Sequence, residues 1–97
     1  MIYIRVDWLH SFDDEPVLIY SQLDEDRNEV KKIEVYRNGR VGYATATTEH
    51  YRTGLSQTPL PELEEIASDP QFRPAMIGVD EFEAAWSEYV LRRDQRQ

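Results

Sequence analysis

The chain contains no cysteine. That excludes disulfides and thiolate-held zinc, and with them the small secreted scaffold stapled by cross-links. No apolar run approaches the roughly 18 residues a membrane-spanning helix needs, so no membrane partner is expected. The four glycines, Gly39, Gly42, Gly54 and Gly78, do not cluster, which leaves no phosphate cradle of the glycine-rich kind. Gly54-Leu55-Ser56-Gln57-Thr58 lacks the closing glycine of a nucleophile elbow. Basic charge is scarce too: 11 Lys and Arg stand against 19 Asp and Glu, a net charge of −8. Such a balance repels nucleic acid and favours basic partners. The start, Met1-Ile2-Tyr3-Ile4-Arg5-Val6-Asp7, alternates like a strand. It has neither the basic start nor the solid apolar stretch of a signal peptide, so a soluble cytoplasmic protein is expected.

What the chain does have is patterning for one domain spanning residues 1–97. Residues 2–9 alternate Ile2, Ile4, Val6 and Trp8 against Tyr3, Arg5 and Asp7, the signature of a half-buried strand. Residues 17–23, 30–37 and 40–46 read as three more strands. Asn38-Gly39 joins the last two as a hairpin turn, because both residues tolerate positive φ. With that pair at the centre, Tyr36 faces Val41, Val35 faces Gly42, Glu34 faces Tyr43 and Ile33 faces Ala44. Residues 47–60 read as a long irregular stretch, a length often functional or mobile.

Pro61 suits a first helical turn, and Leu63, Ile66 and Ala67 form a short apolar stripe that Asp69-Pro70 stops. Asp80 with Glu83 reads as a capping box. Phe82, Ala85, Trp86, Tyr89 and Val90 follow at helical spacing toward an end near Arg92-Arg93, and residues 94–97 are expected to fray. The predicted fold is α+β: a four-stranded, mostly antiparallel sheet, the C-terminal helix packed on one face, and a short additional helix. The helix is expected on the aliphatic face of Ile2, Ile4, Val6, Val17, Ile19, Ile33 and Val35. Tyr3, Tyr20, Tyr36 and Tyr43 fall on the opposite parity, where they would stud an exposed face.

No catalytic motif stands out. His10 with Asp13 and Asp14 nearby, or with His50 if the fold brings it close, would make a base or a ligand pair, but no nucleophile or third ligand accompanies them. Asp24-x-Asp26-x-Asn28 opens like a calcium loop and then fails, with Glu29 where glycine is needed and Val35 where the bidentate acid belongs. Neither a metal nor a cofactor is expected. Arg27 among these acids is expected to make local ion pairs.

The segments Tyr3-Ile4, Trp8-Leu9-His10, Asp14-Glu15-Pro16, Lys32-Ile33-Glu34-Val35, Gly39-Arg40-Val41-Gly42-Tyr43-Ala44, Leu60-Pro61 and Phe82 with Trp86 resemble a family of small bacterial proteins catalogued as a domain of unknown function. The likeness runs from about residue 1 to residue 90. It implies no activity and no catalytic residues. The compact format is similar to that of immunity proteins from bacterial toxin systems.

The resulting expectation is a small acidic, non-enzymatic interaction protein, and more sharply an immunity-type inhibitor of a bacterial toxin. Two acidic turns, Asp13, Asp14 and Glu15 and then Asp24, Glu25 and Asp26, would meet a basic partner surface. Tyr20, Tyr36 and Tyr43 would anchor it. A homodimer pairing through the tyrosines is a further option. The alternative function is a small hydrolase or metal-dependent enzyme using His10, Asp14 and His50.

Overall fold

The computed structural model describes residues 1–92; Arg93 and the segment 94–97, where the helix end and the fraying were expected, lie outside the described residues. The strands are β1 (Ile2–Trp8), β2 (Pro16–Leu23), β3 (Glu29–Tyr36), β4 (Val41–Thr45), β5 (Glu49–His50) and β6 (Phe72–Ile77). They form one sheet in the order β5-β4-β3-β2-β1-β6, antiparallel throughout. Among the described residues the sheet therefore has six strands, not four. Helix α1 (Leu63–Ala67) precedes β6, and α2 (Val79–Trp86) runs on into a π-helical turn, Ser87–Leu91. No helix among the described residues is long and apolar enough to cross a membrane.

Both strands missing from the sequence reading lie at the sheet edges. β5 is two residues long. β6 carries Pro74, which argues against a strand by pattern but is tolerated at an edge, where its missing N–H breaks no ladder. α2 begins two residues earlier than expected. Gly78 is its N-cap, with no side-chain cap, so Asp80 and Glu83 form no capping box. Asp80 and Glu81 instead lie in the first turn, where the helix dipole favours acids. α1 begins after Pro61, with Glu62 as N-cap.

The β3–β4 hairpin is where the expected geometry and the observed one part. Gly39 takes φ +89°, but Asn38 does not take a positive φ. The Gly39 N–H donates to the Tyr36 carbonyl at 2.9 Å, and the Tyr36 N–H donates to the Arg40 carbonyl at 2.8 Å. The loop is thus three residues, Arg37-Asn38-Gly39: a common turn closed by a left-handed glycine, rather than a two-residue corner. One extra loop residue moves the register by one. Val35 faces Val41, Glu34 faces Gly42, Ile33 faces Tyr43 and Lys32 faces Ala44. A slip of one residue turns a strand over, so Val41 and Tyr43 join the face of Ile33 and Val35, while Gly42 and Ala44 leave it.

The β2–β3 pairing completes the reassignment of faces, setting Tyr20 against Ile33 and Leu18 against Val35. α2 packs on the face of Tyr20, Ile33 and Val41, bringing Phe82, Ala85 and Val90 to it, with Tyr3, Leu18, Tyr43 and Trp86 around them. The aliphatic face of β1 and β2 lies on the other side. There Ile4, Val6 and Leu23 pack with Ile19, Phe72, Leu60, Leu63 and Ile66. The helix sits, as expected, on Ile33 and Val35, but Tyr3, Tyr20 and Tyr43 share that face, while Ile2, Ile4, Val6 and Ile19, expected beside them, lie on the opposite face under α1. The sheet is covered on both sides, which is why apolar residues such as Ile4 with Tyr3 and Ile19 with Tyr20 occur at adjacent strand positions.

The long segment after β5 is a strap tied across the second face. From β3, Glu29 accepts from the Ser56 N–H at 2.6 Å, the Lys32 ammonium donates to the Gly54 carbonyl at 3.2 Å, and Glu34 accepts from the Thr53 hydroxyl at 2.8 Å. From the β2–β3 turn, the Arg27 guanidinium donates to the Leu60 carbonyl at 2.8 Å and the Pro61 carbonyl at 2.6 Å. It also lies 3.5 Å from the Glu62 carboxylate. Arg27 is therefore not spent on its neighbouring acids, as expected from its setting, but on a segment 33 residues away.

The strap starts with two consecutive left-handed residues, Tyr51 (φ 54°) and Arg52 (φ 60°), a conformation that strains side-chain-bearing residues. It lies flat on Gly42. A methyl group there would run into the Thr53 hydroxyl and the Tyr51 carbonyl. Gly42→Ala should therefore lift the strap from the sheet and cost about 1–3 kcal/mol, the usual range for overpacking. Chemical denaturation measures it, and Gly78→Ala is the control, because nothing lies within 4 Å of a methyl group at that helix start.

Candidate functional site

The proposed partner-binding residues do not form one surface. Tyr20 is 9 % exposed and belongs to the core beneath α2, 6.1 Å from the Tyr89 ring. Tyr36 is 6 % exposed, with the Tyr51 ring set edge-on at 5.3 Å. Tyr43 is half-buried between Trp86, edge-on at 5.9 Å, and His50, stacked at 5.0 Å. The expected exposed tyrosine face does not exist: Tyr3, Tyr20 and Tyr43 lie on the α2 side of the sheet, while Tyr36 points to the opposite side, where Tyr51 of the strap covers it. Tyrosine-mediated self-pairing loses its surface for the same reason.

The burial has an electrostatic consequence. Desolvation pushes the Tyr20 phenol above its ordinary pKa, with Tyr89 adding to the rise. It does the same for Tyr36, with Glu34 adding. A phenol whose folded pKa exceeds its unfolded value favours folding while neutral. That contribution is complete below about pH 10 and is lost as pH climbs through the raised values. Thermal unfolding between pH 8 and 11 should show the loss, and the Tyr20→Phe/Tyr36→Phe double variant should show less of it than the parent.

The two acidic turns are also separated. They flank the eight residues of β2, which at ~3.3 Å per residue places Glu15 and Asp24 roughly 30 Å apart. In the turn between β2 and β3, Asp24 is consumed internally. Its carboxylate accepts from the Asp26 and Asn28 N–H groups, both at 2.9 Å. Glu25 and Asp26 are exposed. At the other end of β2, Asp13 and Asp14 are exposed, and Glu15 is half-buried next to Pro16.

That second end, the loop between β1 and β2, holds exposed apolar side chains that sequence reading passed over: Leu9 at 44 % and Phe12 at 55 %. They stand on an ordered base. The Leu9 N–H donates to the Gln71 carbonyl at 2.7 Å. The Arg37 guanidinium donates to the His10 carbonyl at 2.6 Å and the Phe12 carbonyl at 3.2 Å. His10 holds the loop from inside. Its Nδ1 accepts from the Phe12 N–H at 2.9 Å, which places the ring proton on Nε2, and Nε2–H donates to the Pro16 carbonyl at 2.8 Å. A ladder of rings runs beneath: Phe72 to Trp8 at 5.4 Å, Trp8 to His10 at 4.6 Å, His10 to Phe12 at 5.4 Å. A depression of about 370 Å³ lies alongside, with Trp8, Leu9, Arg37 and Arg73 in its walls.

His10 is thus fully occupied in ordering the loop. His50 lies on β5 opposite Tyr43, on the α2 side of the sheet, whereas Trp8 beside His10 shares the other face with Val6. The fold does not bring the two histidines together, and among the described residues no group of three or more His, Cys, Asp or Glu could hold a metal.

Fold and site together describe an α+β protein built on a fully antiparallel sheet covered on both faces, with an ordered apolar loop at one end. A family model described as a domain of unknown function (DUF6881) matches residues 2–91. The chain belongs to that family. No curated protein and no solved structure matches it.

Proposed function

We propose that this protein is a non-enzymatic interaction protein, in its sharper form an immunity-type inhibitor of a bacterial toxin, that grips a basic partner through the β1–β2 loop. The observation that supports this reading is the exposure of Leu9 and Phe12 on a loop whose main chain is already fastened by His10 and Arg37. Large apolar side chains held ready in the free protein bind with little ordering cost, and a few such anchors dominate interface energy. The tyrosines are replaced in this role by Leu9 and Phe12. Of the acids, Asp13, Asp14 and Glu15 border the anchors, while Asp24 serves its own turn. The net charge of −8 supplies long-range steering toward a basic surface and acts chiefly on the association rate.

The test is titration calorimetry against the product of the adjacent reading frame after co-expression. Leu9→Ser/Phe12→Ser should weaken binding by at least ~100-fold, about 2.7 kcal/mol, as expected for central anchors. The variant should remain folded by circular dichroism with only a modest fall in melting temperature, since Leu9 and Phe12 are 44 % and 55 % exposed. Undiminished binding by that variant would remove the loop as the contact, and a partner without a basic surface would remove the steering argument.

A further inference from the structure

Beneath the strap, on the face away from α2, lies a second concavity that the interaction reading does not use. Its volume is about 390 Å³. The sheet supplies Val6 and Ile19 as its floor; Leu60 from the strap, Ile66 from α1 and Phe72 from β6 make apolar walls. Pockets of this size and lining are the usual form of small-molecule sites. Its polar groups are few and separate into two sets.

The inner set is neutral and internally satisfied. The Glu29 side chain is 2 % exposed. It accepts from the Ser21 hydroxyl at 2.8 Å and the Ser56 N–H at 2.6 Å, and it pairs with the Lys32 ammonium at 3.0 Å. Lys32 is in turn committed to the Gly54 carbonyl. This cluster cancels its own charge and ties down the strap that walls the pocket.

The outer set is not neutral. Glu65 and Asp69, both exposed, complete the rim. Asp69 accepts from the Gln71 N–H at 2.9 Å, a bond that leaves its charge in place. Among the described residues neither rim carboxylate has a cationic partner within 4 Å, and the only base lining the pocket, Lys32, belongs to the inner set. An apolar cavity with a neutral floor and a rim of two carboxylates selects a ligand with an apolar body and a positive end. We infer that this pocket binds a small amphiphilic amine, its hydrocarbon or aryl group against Ile19, Ile66 and Phe72 and its ammonium at Glu65 and Asp69. This site shares Phe72 with the ring ladder beneath the β1–β2 loop but is lined by neither of that loop's exposed anchors, Leu9 and Phe12.

The experiment is an NMR titration of the isotopically labelled full chain with three matched probes: 3-phenylpropylamine, 3-phenyl-1-propanol and 3-phenylpropanoate. The amine should cause saturable shifts at Ile19, Ser21, Leu60, Ile66 and Phe72. It should bind about five- to tenfold more tightly than the alcohol, with the carboxylate weakest, because two exposed carboxylates each contribute modestly. The Glu65→Gln/Asp69→Asn variant changes only exposed groups, and the amide introduced by Asp69→Asn keeps an oxygen that can accept from the Gln71 N–H. This variant should bring the amine and the alcohol to parity. Ile66→Trp should fill the pocket and abolish the shifts. Equal or tighter binding of the carboxylate by the parent would overturn the ligand class. Absence of saturation by the amine, or shifts mapping elsewhere, would overturn the site. An unchanged preference for the amine in the double variant would overturn the role of the rim.

Discussion

Glu29→Ala should unfold this protein more readily than any other single truncation of a polar side chain. The Glu29 carboxylate is 2 % exposed and meets Ser21, Ser56 and Lys32 within 3.0 Å. Removing it strands the Lys32 ammonium, 16 % exposed, and leaves the Ser56 N–H without its acceptor. Breaking one side of a buried pair in this way costs about 3–5 kcal/mol. For a domain of this size that is a fall of at least ~12 °C in Tm. The expected signature is asymmetric. Because the loss is chiefly the stranded charge, Glu29→Met/Lys32→Met should recover a substantial part of it. If the double variant is as unstable as Glu29→Ala, the pair contributes through strap packing and not through charge compensation. Circular dichroism melts of the parent and both variants decide between these outcomes.

Phe82→Ala should produce a comparable loss by a different route. Phe82 is 2 % exposed. Its ring lies 5.3 Å from Tyr3 and 6.3 Å from Trp86, and it packs in the cluster of Tyr20, Ile33 and Val41. Deleting a buried phenyl ring leaves a cavity and typically costs about 3–5 kcal/mol. Total stability for a domain is only about 5–15 kcal/mol, so the variant should be partly unfolded near physiological temperature. Phe82→Leu should retain most of the stability, since it keeps much of the apolar volume. Trp86→Ala should cost less than Phe82→Ala, because Trp86 is only half-buried, with the Lys31 ammonium 4.7 Å above its ring.

These two variants probe opposite sides of the sheet, and the sides differ in how well the sequence reveals them. The apolar spacing of Phe82, Ala85, Trp86 and Val90 is strong enough to define α2 without coordinates. So is the stripe of Leu63 and Ile66 that becomes α1. The strand parity of β1 and β2 was equally readable. The assignment of faces was not. It depended on two registers: the three-residue loop after Tyr36, which turns β4 over, and the β2–β3 pairing, which sets Ile33 against Tyr20 and Val35 against Leu18. Nor does parity say that a sheet is covered on both sides; a tyrosine row reads as exposed until a helix is placed on it.

The strap eluded sequence reading for another reason. Its attachment uses polar side chains whose partners lie 19 to 34 residues away in the chain: Glu34 to Thr53, Glu29 to Ser56, Arg27 to Leu60 and Pro61. No periodicity records such contacts. Gly42 is the one local trace, a glycine inside a strand, which signals close approach of other backbone. The β1–β2 loop was half legible. Asp13 and Asp14 stood out as charges, but Leu9 and Phe12 look like ordinary core residues until the fold leaves them outside.

Where the partner touches is the claim on which the functional reading stands, and amide hydrogen exchange of the protein with and without its bound partner measures it directly. Protection should appear at residues 9–15, with the centre of β2 and the turn at residues 24–28 unchanged. Protection confined to that opposite turn, with residues 9–15 exchanging as in the free protein, would contradict it.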